Sequence, residues 1–121
     1  MNIKLRKDFL ADVEAAIVSA ERKHPKVCDD FCTIDKDCVK GMLAEVRGLN
    51  DLYEDAGASV FYLVIREEIL EALEAYLKKD YKQCLKELAQ VAAVAIRGMD
   101  FVYSLTPEAK ASAKFKGGAN D

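Results

Sequence analysis

Four residues with oxygen-bearing side chains occur at helical spacing in the second half of the chain. Glu68 and Glu71 are three residues apart, and so are Glu87 and Gln90. At about 100° per residue, each pair falls inside a stripe of apolar side chains. An unpaired carboxylate in an apolar environment costs several kcal/mol, so something must neutralise these charges.

Two kinds of partner could neutralise the acids. Basic side chains could reach them in ordinary ion pairs, and the candidates are Arg66, Lys78, Lys82, Lys86 and Arg97. Alternatively, two pairs of oxygen ligands on neighbouring antiparallel helices suit a hard divalent cation such as Mg²⁺ or Mn²⁺. Because such a cation also takes phosphate oxygens, the pattern admits a metal with a bound polyphosphate.

The same residues resemble a family motif. Glu67-Glu68-x-x-Glu71, followed after 15 residues by Glu87-x-x-Gln90, is similar to the EExxE and ExxD blocks of the MazG-like all-α nucleoside triphosphate pyrophosphohydrolases. The resemblance covers about residues 60–101. It departs from the family at Gln90, which stands where the family typically has an aspartate.

The resemblance implies a site and an activity. A metal-bound water, deprotonated by the metal or by Glu67, would attack the substrate, and the products would be a nucleoside monophosphate and pyrophosphate. Asn50 and Arg97 are further candidates for contacts to the substrate, which would be a nucleoside triphosphate or a related nucleotide. By the same resemblance we expect a homodimer or homotetramer. The ligands expected for Mg²⁺ or Mn²⁺ are Glu68, Glu71, Glu87 and Gln90.

Two other functions fit the same residues. Because Gln90 removes one negative charge, the chain could be a MazG-like helical domain that binds a nucleotide or another protein without catalysis. It could also be an unrelated helical protein whose acids only form ion pairs. Metal-dependent release of pyrophosphate distinguishes the enzyme from both.

Cysteines and the single histidine offer a different chemistry. His24, Cys28, Cys32 and Cys38 could be zinc ligands, but they lack the C-x₂-C knuckles of known zinc sites. His24 could activate Cys28 as a nucleophile, although no orienting motif accompanies the pair. We expect Cys84 to lie in the core and all four thiols to be reduced.

Four helices are predicted to carry these residues. Apolar side chains recur at three- and four-residue spacing over residues 5–22, 37–53, 60–79 and 81–105. A short turn at Lys79-Asp80 would make the last two helices antiparallel neighbours. Ser59 is the predicted N-cap of the third helix. In the first helix, the stripe predicted to be buried contains Phe9, Leu10, Val13, Ala16, Ile17 and Ala20.

Length and composition limit the fold and the partners. The 121 residues, 51% of them hydrophobic, fit one helical domain over 1–106 with a mobile tail over 107–121. We predict an all-α, four- to five-helix antiparallel bundle, MazG-like and completed by oligomerisation. A net charge of −3 argues against nucleic acid as a partner. Short apolar runs argue against a membrane span, and the absence of a secretory signal predicts a cytoplasmic protein.

Overall fold

The computed structural model describes residues 2–112, which form four long helices and contain no strand. The helices are α1 (Ile3–Lys23), α2 (Lys36–Asp55), α3 (Phe61–Leu77) and α4 (Tyr81–Ser104). Each begins and ends within two residues of its predicted bounds, so the predicted all-α class is confirmed. Of the predicted tail, residues 107–112 are helical and residues 113–121 lie outside the described part.

The central helix of the fold is α3, which packs against both α2 and α4, whereas α1 contacts only α4. The main core lies between α2 and α3, and its buried side chains are Val39, Leu43, Val46 and Leu70. A second buried cluster joins Ala72 and Ala75 of α3 to Cys84 of α4. The predicted core position of Cys84 is therefore confirmed. None of the helices in the described residues has the length and apolar character needed to cross a lipid bilayer.

A tight turn joins α3 to α4. The Asp80 amide donates to the Ala75 carbonyl (2.9 Å) and the Lys79 amide to the Tyr76 carbonyl (2.9 Å), the bond pattern of a Schellman motif. Lys79 takes the left-handed conformation, with φ 61°. Asp80 then caps α4 by accepting from the Gln83 amide at 3.2 Å. The chain thus reverses within three residues, as the sequence predicted.

The far end of the same helix pair is fixed by a close approach. A Cβ atom added at Gly98 of α4 would lie 2.7 Å from the ring of Phe61 at the start of α3. Any side chain larger than glycine at this position would require the exposed Phe61 ring to move aside. The register between α3 and α4 is set by the turn that joins them.

The predicted N-cap at Ser59 is wrong. Helix α3 begins after Val60, whose extended backbone occupies the N-cap position without a side-chain hydrogen bond. The other three helices have side-chain caps, from Asn2, Asp35 and Asp80. Ser59 lies one residue too early for its hydroxyl to take the N-cap role.

The predicted burial of the α1 stripe is also wrong. Phe9 is buried, with its ring 6.0 Å from that of Tyr103. The other five stripe residues are exposed: Leu10, Val13, Ala16, Ile17 and Ala20. The reason is that, among the four described helices, α1 packs against α4 alone, so these five side chains have no neighbouring helix there.

Candidate metal centre

The α3–α4 pair brings three carboxylates together. Glu68 and Glu71 project from α3 and Glu87 from α4, and one oxygen of each lies within 4.8 Å of the other two. All three side chains are half-buried. Within residues 2–112 this is the one group of three or more acidic, histidine or cysteine side chains close enough to share an ion.

The donor set fits a small divalent cation. Octahedral Mg²⁺ holds oxygens at about 2.1 Å, which places neighbouring ligands about 3 Å apart and opposite ligands about 4.2 Å apart. Separations up to 4.8 Å reach these values with small rotations of flexible glutamate side chains. Carboxylate oxygens are also the ligands that Mg²⁺ and Mn²⁺ prefer.

Crowding of the carboxylates changes their acidity. Partial burial, together with the neighbouring carboxyl groups of Glu87 and Glu67, raises the pKa of Glu71 to about 7. Burial raises the pKa of Glu68 as well, and the charge of Glu87 adds to this effect. Both raised pKa values mean that it is unfavourable for all the carboxyl groups of the cluster to be ionised at the same time. A cation placed among these groups would relieve that repulsion.

In the part of the chain that the structure describes, one basic side chain pairs with the cluster. Arg47 of α2 approaches Glu71, with its Nη2 atom 3.4 Å from Oε1. The Arg47 side chain is half-exposed, so this long contact is screened by solvent. The pKa of Glu71 remains raised despite it. Arg47 therefore does not neutralise the cluster.

The cations named in the ion-pair alternative do not meet the three acids. Lys78 lies 3.6 Å from Glu74, one turn back on α3, which is not part of the cluster. In the described residues, the four other candidates form no ion pair within 4.0 Å: Arg66, Lys82, Lys86 and Arg97. These five side chains therefore do not neutralise the cluster.

Two neutral amides position the acids. The Gln83 side chain donates to Glu87 Oε1 at 2.6 Å from one turn earlier on α4. The Asn50 side chain, only 6% exposed, donates from Nδ2 to Glu67 Oε1 at 3.0 Å and to the Leu63 carbonyl at 3.1 Å. Glu67 is thereby held beside the cluster, and its carboxyl group faces that of Glu71.

The other predicted site residues are Asn50, Gln90 and Arg97, and the structure places each of them differently. Asn50 uses its amide nitrogen within the protein, and its proposed contact to substrate stays a prediction. Gln90 is exposed on α4, and its role as a ligand also stays a prediction. Arg97 is ten residues after Glu87, about 15 Å along the helix, and it lines a separate groove with Leu5 and Tyr103. The structure does not bring Arg97 to the cluster.

A cavity of about 240 Å³ opens beside the carboxylates. Two acids of the cluster, Glu71 and Glu87, line it. The other polar residues of its wall are two further acids, two cations and an amide: Glu74, Asp80, Arg47, Lys78 and Gln83. Gln83 was not among the residues predicted from the sequence. The four-residue spacing to Glu87 is the signal that could have identified it.

The cysteines do not form a second centre. Among the described residues, His24, Cys28, Cys32 and Cys38 do not form a group close enough to share an ion. Cys38 donates its thiol to Asp35 Oδ2 at 3.3 Å, and this hydrogen bond raises the pKa of the thiol.

Comparison of the chain with models of protein families, with curated proteins and with solved structures finds no match. The resemblance to the MazG-like enzymes therefore depends on the motif residues themselves, from Glu67 to Gln90.

Asn50→Ala is expected to destabilise the fold by about 1–3 kcal/mol. The substitution leaves the Leu63 carbonyl and the Glu67 carboxylate without the donor that now satisfies them. The free energy of unfolding in urea would measure the loss. Asp51→Ala, at the neighbouring exposed position, serves as the control and should change stability by less than about 0.5 kcal/mol.

In the absence of divalent cations, stability is expected to rise as the pH falls from about 7 to about 4.5. The folded protein takes up a proton at Glu71 near pH 7, whereas an unfolded glutamate does so near 4.5. Between these values the folded state binds more protons, and acidification favours it. Because the carboxylate remains partly solvated, we expect about 1–2 kcal/mol from this group. Thermal unfolding across this range measures the slope, which Glu71→Gln should flatten.

Proposed function

We propose that this chain is a Mg²⁺- or Mn²⁺-dependent nucleoside triphosphate pyrophosphohydrolase of the MazG-like kind, acting in the cytoplasm as a homo-oligomer. The observation that carries the proposal is the meeting of Glu68, Glu71 and Glu87 within 4.8 Å, on the helices where the resemblance expects metal ligands. The raised pKa of Glu71 supports it, because the site is short of positive charge.

The residues of the site have distinct roles in this proposal. A divalent cation, when bound by the three acids, supplies Lewis-acid activation of the phosphoryl group. Glu67, oriented by Asn50, accepts the proton of the attacking water. Arg47 and Lys78, on the cavity wall, attract and orient the phosphate chain.

The proposed reaction is a displacement at the α-phosphorus. The water oxygen bonds to the α-phosphorus while the bond from that phosphorus to the bridging oxygen breaks. The electron pair of the broken bond leaves with pyrophosphate, and the water proton passes to Glu67. The products are one nucleoside monophosphate and one pyrophosphate.

Turnover of a nucleotide panel tests the proposal. The purified chain, incubated with ribo- and deoxyribonucleoside triphosphates and Mg²⁺ or Mn²⁺, should release monophosphate and pyrophosphate in equal amounts. Removal of the cation by EDTA should stop the reaction. Release of orthophosphate and a nucleoside diphosphate would indicate attack at a different phosphorus and would contradict the proposal.

A second candidate is a MazG-like domain that binds nucleotides without catalysis. Gln90 favours it, because a neutral, exposed amide stands where the family typically has an aspartate. For such a module, the same assay would show no products, while nucleotide and cation together would still raise the melting temperature. The two measurements on one sample separate the candidates.

A further inference from the structure

Arg47 borders both the three-acid cluster and the cavity beside it. Its Nη2 atom lies 3.4 Å from Oε1 of Glu71, and the same residue lines the cavity. Glu71 is one of the three acids proposed to hold the cation, and the cavity is where the proposed function places the phosphate chain. Arg47 therefore lies next to the two groups that would compete for its positive charge.

The contact between Arg47 and Glu71 is weak enough to be exchanged for another. Hydrogen bonds from arginine to a carboxylate are usually about 2.7–2.9 Å long and are often bidentate. This contact is longer, at 3.4 Å, and joins one nitrogen to one oxygen. Half of the Arg47 side chain is exposed, so solvent screens the pair. Arg47 therefore loses little free energy when it leaves Glu71.

The backbone of Arg47 is fixed, whereas its guanidinium group can turn. Val46, the preceding residue, is fully buried, and Leu43, one turn earlier on α2, belongs to the same core. Within residues 2–112, the pair with Glu71 is the one ion pair that Arg47 forms. Arginine has a long side chain with many rotamers. Rotation of the side chain alone can therefore carry the guanidinium group from Glu71 into the cavity, without movement of α2.

The charge of the cavity wall determines which partner Arg47 takes. Above pH 7, where Glu71 is ionised, the wall has four acids and two bases and thus a net charge of −2: Glu71, Glu74, Asp80, Glu87, Arg47 and Lys78. Such a wall repels a polyphosphate anion. With a divalent cation among the three acids, this excess would be cancelled, and the Arg47 guanidinium would be repelled from Glu71 by the like charge.

We propose that Arg47 exchanges partners during binding: it pairs with Glu71 while no cation is bound, and it turns to the phosphate chain once the acids hold a cation. The inference rests on the proposed function, which gives Arg47 the second contact alone. Because Arg47 competes with the cation for Glu71 but attracts phosphate, loss of its charge should change the affinities for these two ligands in opposite directions.

Titration calorimetry of the full chain at pH 8 measures both affinities. For Mn²⁺ alone, Arg47→Gln should bind about three- to fivefold more tightly than the wild type, because the competing ion pair is gone. At saturating Mn²⁺, the same variant should bind inorganic triphosphate at least about tenfold more weakly, because it lacks a charged donor to phosphate. Arg47→Lys keeps the positive charge, so each affinity should change less than in Arg47→Gln.

Lys78→Gln is the matched control. Lys78 lines the same cavity and its side chain is as exposed as that of Arg47 (52% and 50%), but its partner Glu74 lies outside the cluster. This variant should weaken triphosphate binding and change the Mn²⁺ affinity by less than about twofold.

The outcomes separate the exchange from the proposed function. If the wild type binds Mn²⁺ but Arg47→Gln does not bind it more tightly, the exchange is overturned and the metal centre stands. An equal gain in Lys78→Gln also overturns the exchange, because the effect would then come from the overall charge of the cavity. Unchanged triphosphate binding in Arg47→Gln overturns it as well. A wild type that binds no Mn²⁺ overturns the exchange and the proposed function together.

Discussion

Glu71→Gln is expected to lower cation-dependent release of pyrophosphate by roughly 100- to 1000-fold. The amide keeps the size of the side chain but removes one of the three negative charges that meet within 4.8 Å. Above pH 7, and without metal, the same variant should be at least as stable as the wild type, because it removes a carboxylate whose ionisation the site opposes. Loss of activity without loss of stability would show that the Glu71 carboxylate is needed for the reaction and not for the fold. The values of kcat/KM and the thermal unfolding curves of both proteins measure the two effects.

Glu74→Gln provides the matched control. Glu74 lies one turn further along α3, is half-buried and borders the same cavity, but its carboxylate pairs with Lys78 and is not in the cluster. Its replacement should change kcat/KM by less than about fivefold, since a solvent-screened ion pair of this kind contributes at most about 1 kcal/mol. Equal losses in the two variants would mean that the cavity as a whole, and not the three-acid cluster, carries the activity.

Mg²⁺ or Mn²⁺ is expected to stabilise the folded chain by about 2.7 kcal/mol when its concentration is 100 times the dissociation constant. The folded state assembles Glu68, Glu71 and Glu87, whereas the unfolded chain separates them, so the cation binds the folded form preferentially. Thermal unfolding at pH 8 with increasing cation measures the effect as a rising melting temperature. The rise should become smaller below pH 7, because protonation of Glu71 competes with the cation.

Two comparisons make the cation experiment specific. Glu87→Gln should reduce the shift strongly, because it removes the one ligand that α4 contributes to the cluster. Asp51→Asn, which changes an acid of α2 outside the cluster, should leave the shift unchanged. If neither cation moves the melting temperature of the wild type, the three acids are not a metal centre and the proposed activity fails with them.

Local patterns were sufficient to predict the helices and the convergence of the acids. Helical periodicity gave the bounds of all four helices to within two residues, and the short turn after α3 placed Glu87 opposite Glu68 and Glu71. These features depend on residues close together in the sequence. The angular position of each acid on its own helix was therefore nearly enough to predict that Glu68, Glu71 and Glu87 converge.

Contacts between distant segments could not be predicted in the same way. The approach of Arg47 to Glu71 and the hydrogen bond from Asn50 to Glu67 join residues 24 and 17 positions apart, and they depend on how α2 packs against α3. Periodicity shows that a helix face is apolar but does not show which element covers it. For this reason the α1 stripe was wrongly predicted to be buried.

The turn at Lys79 has a consequence for how this chain can vary. Surface loops usually tolerate insertions, because their length has little effect on the elements that they join. Here one added residue would rotate α4 by about 100° relative to α3, or strain the turn, and either change would carry Glu87 away from its two partners. The loop is exposed, yet its length is fixed by the acids that it brings together. Insertions are therefore expected to be tolerated between α1 and α2 and rejected between α3 and α4.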